Sequence, residues 1–80
     1  MKSVVIIEDQ TAVREMVSEF ISMLPGYEMV GSFGNGEEGL QGCIKLKPET
    51  VILDVGLPEL SGTEVLRGLT LHVPGVKVLV

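Results

Sequence analysis

Residues 4–7, Val-Val-Ile-Ile, form an unbroken β-branched run, the pattern of a strand covered on both faces. From residue 11 to residue 24 the pattern changes: Val13, Val17, Phe20, Ile21 and Leu24 recur at spacings of three and four, which predicts an amphipathic helix stopped by Pro25-Gly26. Residues 27–33 read as a second strand centred on Met29 and Val30. Asn35 followed three residues later by Glu38 has the spacing of a capping box, so a second helix starts there. It places Leu40, Cys43, Ile44 and Leu46 near one face and ends at Lys47-Pro48. Gly39 and Gly42 weaken it by up to ~1 kcal/mol each relative to Ala.

Residues 50–53, Thr-Val-Ile-Leu, predict a third strand that delivers Asp54 at its carboxyl end. A loop containing Pro58 follows. Ser61 and Glu64 again have capping-box spacing, and Val65, Leu66 and Leu69 supply the apolar side of a third helix. His72-Val73-Pro74-Gly75 breaks this helix, and residues 76–80 begin a fourth strand. The resulting order, β-α-β-α-β-α-β, provides a helical crossover between each pair of strands, so the expected architecture is a three-layer α/β sandwich around a parallel sheet with right-handed connections. The fourth strand has the composition of the middle of a fold, which predicts an incomplete domain over residues 1–80 with further helices and a fifth strand beyond it.

Composition narrows the function. The formal charge is −5, and Lys2, Arg14, Lys45, Lys47, Arg67 and Lys77 are scattered, so these residues do not predict a nucleic-acid surface. A single cysteine, Cys43, excludes a disulfide within the chain and is expected as a packing residue, in keeping with a cytoplasmic setting. No apolar run approaches the ~20 residues needed to cross a bilayer.

The candidate chemistry lies at two strand ends. Open parallel sheets build sites at the carboxyl ends of their strands, where this chain carries Glu8-Asp9 and Asp54. If the two strands are neighbours, three carboxylates converge, and two such charges ~4 Å apart repel by roughly 4 kcal/mol at an effective dielectric near 20. That repulsion calls for a cation. Carboxylate oxygens without histidine favour Mg2+ or Mn2+ over zinc, and Mg2+ customarily accepts phosphate oxygens as well. Taken singly, Asp9 is equally well read as a helix cap and Asp54 as a turn residue. Arg14, one turn into the first helix, reaches toward the acidic mouth or is solvated.

V-V-I-I-E-D followed by I-L-D-V-G-L-P-E-L-S-G, with N-G-E-E-G-L between them, resembles the receiver domains of two-component response regulators. The resemblance extends over essentially the whole chain and implies a flavodoxin-like fold with strand order 2-1-3-4-5. It implies that Asp54 is the phosphoacceptor and a ligand of Mg2+, that Asp9 binds the ion directly, that Glu8 helps hold it through metal-bound water, and that the Gly56 carbonyl completes the protein's ligands. Leu57, Pro58 and Gly62 correspond to residues that shape the following loop. The implied activity is that of a regulatory phosphoacceptor rather than a turnover enzyme, with a sensor histidine kinase or phosphotransfer protein as donor. A homodimer and an output domain, which would control transcription through a helix-turn-helix module, are implied partners. The resemblance also implies a Thr or Ser after the fourth strand and a Lys after the fifth, beyond Val80. Two rival readings are a receiver that serves only as an interaction module, and an aspartyl-phosphate phosphohydrolase. The latter resembles D-x-D-x-T at its nucleophile, whereas this chain has Gly56 two residues after Asp54.

Overall fold

A computed structural model describes residues 1–54 and 62–80. The elements follow the order β1 (Lys2–Ile7), α1 (Thr11–Ser22), β2 (Tyr27–Phe33), α2 (Gly36–Leu46), β3 (Thr50–Leu53), α3 (Gly62–His72) and β4 (Lys77–Leu79). The strands form one sheet in the order β2-β1-β3-β4, and every pairing is parallel. β1 is therefore interior. This accounts for its uninterrupted apolar run, because Val4, Val5, Ile6 and Ile7 are all at most 2% exposed.

Alternation along the strands divides these residues between two faces. Val5, Ile7, Val51 and Leu53 join Cys43 of α2 and Val65 and Leu69 of α3 in the principal core. On the opposite face, Ile6 and Ile52 line a groove with Val13 and Val17 of α1. The result is the expected three-layer arrangement, with α1 on one side of the sheet and α2 and α3 on the other. Between β1 and β2 the register shifts by one residue, from Val4 opposite Met29 to Val5 opposite Gly31, so Val30 is an inserted bulge residue.

Helix termini follow local chemistry. At α2 the Asn35 side chain accepts a hydrogen bond from the Glu38 amide at 2.9 Å, as its spacing predicts. Lys47 closes the helix in the left-handed region at φ 49°, donating its amide to the Cys43 carbonyl at 2.7 Å. At α1 the N-cap is Gln10 rather than Asp9, and it makes no side-chain capping bond. The helix-cap reading of Asp9 is thus not met. The Ser61 cap expected for α3 lies outside the described residues.

Three predicted apolar positions turn outward. Phe20 in α1 is 59% exposed, Leu46 in α2 is 43% exposed and Leu66 in α3 is 40% exposed. In α3 the sheet-facing side is occupied by Val65 and Leu69, and Leu66 stands about 100° round the helix from Val65. Phe20, two turns beyond Val13, keeps the stripe of Val13 and Val17 but is exposed in the last turn of α1. Helix α1 also ends two residues earlier than its apolar period suggested, at Ser22, where the Met23 and Leu24 amides bond three residues back to Phe20 and Ile21.

The glycines of α2 have a packing role that helix propensity alone does not reveal. A Cβ at Gly39 would stand 2.6 Å from Ile7, and one at Gly42 would collide with the Phe33 ring. Their small size lets α2 lie close against β1 and β2, offsetting their unfavourable helix propensity. Gly39→Ala should therefore destabilise the protein by about 1–3 kcal/mol despite alanine's better helix propensity. Chemical denaturation measures the change; unchanged or increased stability would show that the helix can withdraw from Ile7 at no cost.

Candidate functional site

The site begins with the sheet ladder. The Asp54 amide donates to the Ile7 carbonyl at 3.0 Å, and the Glu8 amide donates to the Phe33 carbonyl at 3.0 Å. These bonds bring the carboxyl ends of β3, β1 and β2 level with one another. β1 pairs with β3 through Ile7 opposite Leu53, so the residues immediately beyond, Glu8 and Asp54, emerge side by side.

The carboxylates of Glu8, Asp9 and Asp54 each offer an oxygen within 4.8 Å of the others. Asp9 is exposed, whereas Glu8 and Asp54 are half-buried. Ile6, Ile52, Val13 and Val17 line an apolar groove that Glu8 and Asp54 also border. Partial burial raises the Glu8 pKa above its ordinary value of 4.5, and hydrogen bonding to the Asp54 and Asp9 side chains adds to this. A bond from the Gln10 amide to Glu8 Oε2, 3.3 Å long, works in the opposite direction.

The donor set fits a hard divalent cation. Three carboxylates converge without an intervening histidine or cysteine, and the cost of keeping them together falls when a cation takes up their negative charge. Arrangement and donor type suit Mg2+ or Mn2+. Gly62 is buried at the start of α3. Gly56, Leu57 and Pro58 lie outside the described residues.

One polar contact was left open by sequence reasoning. Arg14 turns back from α1, and its Nη1 donates to the Glu8 carbonyl at 2.8 Å. The spacing of Arg14 from Glu8 allowed such a contact, but the bond is to backbone, which residue patterns do not specify. Cys43 is wholly buried, and burial pushes its thiol to about 11, consistent with a packing role.

The Glu8 shift sets a direction for pH dependence. Its pKa is raised in the folded state, so its favourable contribution is present below about pH 4.5 and is lost as pH rises through the folded value. In chelator-treated protein, Glu8→Gln should flatten this part of the stability profile. Denaturation midpoints measured across the acidic range test this; the same slope in both proteins would contradict the raised Glu8 pKa.

Comparison with known proteins agrees with the fold. The family model for the response regulator receiver domain matches residues 4–80. The transcriptional regulatory protein DegU of Brevibacillus brevis is 35% identical over 77 residues, which cover 96% of this chain and 33% of DegU. A protein-glutamate methylesterase/protein-glutamine glutaminase of Bacillus subtilis is 37% identical over 67 residues, covering 84% of this chain and 19% of that protein. The chain therefore spans a third or less of these relatives. Among solved structures, the response regulator domain of Thermotoga maritima CheB superposes with a TM-score of 0.91 at 26% identity, covering 98% of this chain and 57% of that one. A LuxR-family DNA-binding response regulator of Staphylococcus aureus gives 0.89 at 28% identity, covering 98% and 65%. With its parallel sheet in receiver order and its matching family model, this chain belongs to the response regulator receiver domain family.

Proposed function

We propose that this chain is a phosphorylation-dependent switch in which Asp54 accepts a phosphoryl group in the presence of Mg2+, with Mn2+ as a possible substitute. The observation that carries the reading is the convergence of Glu8, Asp9 and Asp54, with one oxygen from each within 4.8 Å of the others. Asp9 and Asp54, together with the Gly56 carbonyl, would hold the ion, and Glu8 would act beside them. Leu57, Pro58 and Gly62 would shape the adjoining loop. When bound, the ion supplies charge neutralisation and orients the incoming phosphate oxygens.

The residues of the chain account for the remaining requirements. Asp54 must attack as an anion, and the hydrogen bond that its amide N–H donates to the Ile7 carbonyl holds the base of its side chain beside β1. In the transfer, a carboxylate oxygen of Asp54 forms a bond to phosphorus while the phosphorus–nitrogen bond of a phosphohistidine breaks, its electron pair returning to the imidazole. The product is an acyl phosphate on Asp54, which in-line attack by water returns to the carboxylate and inorganic phosphate. The donor would be a sensor histidine kinase or a phosphotransfer protein.

The covered fraction of the relatives supports a longer parent protein with an output domain. Transcription control through a DNA-binding output is the favoured assignment, because DegU is named a transcriptional regulatory protein and the Staphylococcus aureus protein a DNA-binding response regulator. A cytoplasmic setting and a homodimer belong to the same proposal. An enzymatic output is the second reading, favoured by the methylesterase match. None of the described helices is long and apolar enough to cross a membrane.

Intact mass after incubation with Mg2+ and acetyl phosphate tests the switch. A phosphate-sized gain is expected in the parent protein and its complete loss in Asp54→Asn; an equal gain in both would assign the acceptor elsewhere. Asp9→Ala should weaken Mg2+ binding by at least about 10-fold. Calorimetric titration measures this, and unaltered affinity would remove Asp9 from the ligand set.

A further inference from the structure

The Glu8 carbonyl lies just beyond the last paired residue of β1. Its neighbours are secured by the sheet, since the Ile7 carbonyl receives the Asp54 amide and the Glu8 amide reaches Phe33. The carbonyl itself points out of this ladder and receives Arg14 Nη1 at 2.8 Å in a partly buried contact. Arg14 is held within α1, with its amide bonded to the Gln10 carbonyl at 2.9 Å and its own carbonyl receiving Ser18 Oγ at 2.7 Å.

A second observation concerns the other side of the guanidinium. A Cβ built on Gly34, in the β2–α2 connection, would stand 3.1 Å from Arg14 Nη1, the same nitrogen that donates to Glu8. Gly34 thus leaves space for the guanidinium between two loops at the carboxyl edge of the sheet.

We infer that Arg14 is a positioning residue for the cation and phosphoryl site, fixing the Glu8–Asp9 peptide through the Glu8 carbonyl in space that Gly34 provides. The inference rests on the proposed Mg2+-dependent function and adds residues outside the acidic cluster to it. A peptide unit is planar, so fixing the Glu8 carbonyl also fixes the direction in which the chain enters Asp9. An ionised donor makes this a charge-assisted hydrogen bond, stronger than a neutral one. The bond sets the backbone from which two of the three carboxylates project, limiting the rearrangement they undergo when a cation binds.

The test combines Mg2+ calorimetry on the parent protein with amide NMR in the metal-free state, for Arg14→Ala, Arg14→Lys, Gly34→Ala and the Arg14→Ala/Gly34→Ala double variant. Arg14→Ala should raise the Mg2+ Kd about 10-fold and shift the Asp9 and Gln10 amide resonances before metal is added. Arg14→Lys, which keeps a charged donor, should recover part of the affinity. Gly34→Ala, which presses on the guanidinium tip, should weaken binding in the parent by less than Arg14→Ala does and add nothing to Arg14→Ala, because the group it presses on is already gone. Parent-like affinity and resonances in Arg14→Ala, or independent multiplication of the two effects, would overturn the inference. If Arg14→Ala fails to fold, the Arg14→Lys and Gly34→Ala comparisons decide it by the same criteria. Absence of Mg2+ binding in the folded parent would instead refute the proposed function, while the metal-free resonances would still report whether Arg14 sets the Glu8–Asp9 backbone.

Discussion

The parallel ladder between β1 and β3 is the constraint on which the site depends. Pairing Ile7 with Leu53 makes the next residues, Glu8 and Asp54, neighbours whatever their charges prefer. Burial of Val5, Ile7, Val51 and Leu53 against α2 and α3 supplies the apolar free energy that keeps those strands in register. Repulsion among the carboxylates is thereby imposed by a core several residues away. The acidic cluster is a local cost that binding of a cation can relieve, and this couples the stability of the fold to its chemistry.

The same ladder shows how small residues serve a charged site. Gly39 allows α2 to press directly on Ile7, whose carbonyl receives the Asp54 amide. Gly34 leaves room for Arg14 beside the Glu8 carbonyl. In both places a missing side chain gives a neighbouring group its position. Close packing then transmits that position to the end of the sheet.

Much of this arrangement was legible in the residue pattern. The run from Val4 to Ile7 had the continuous apolar character of an interior parallel strand, and the Asn35 cap was recognisable from Glu38 three residues later. Glu8, Asp9 and Asp54 could be brought together once their strands were taken as neighbours, which the β1–β3 pairing bears out. Periodicity was less informative about burial itself: Phe20, Leu46 and Leu66 fit an apolar spacing yet are exposed. Gly39 and Gly42 weakened the helical signal for a reason visible only when Ile7 and Phe33 are placed against them. The bond from Arg14 to a backbone carbonyl was equally hidden, since any residue at position 8 would present that acceptor.

Carbon-detected NMR titration of the Glu8, Asp9 and Asp54 carboxyl groups, without and with Mg2+, tests the central claim that they form one electrostatically coupled cation site. Glu8 should titrate above its ordinary value in the metal-free protein, and its midpoint should fall when Mg2+ is added, with chemical-shift changes at the Asp9 and Asp54 carboxyl carbons on metal binding. An ordinary Glu8 midpoint that Mg2+ leaves unaltered, with no response at the other two carboxyl carbons, would contradict the account.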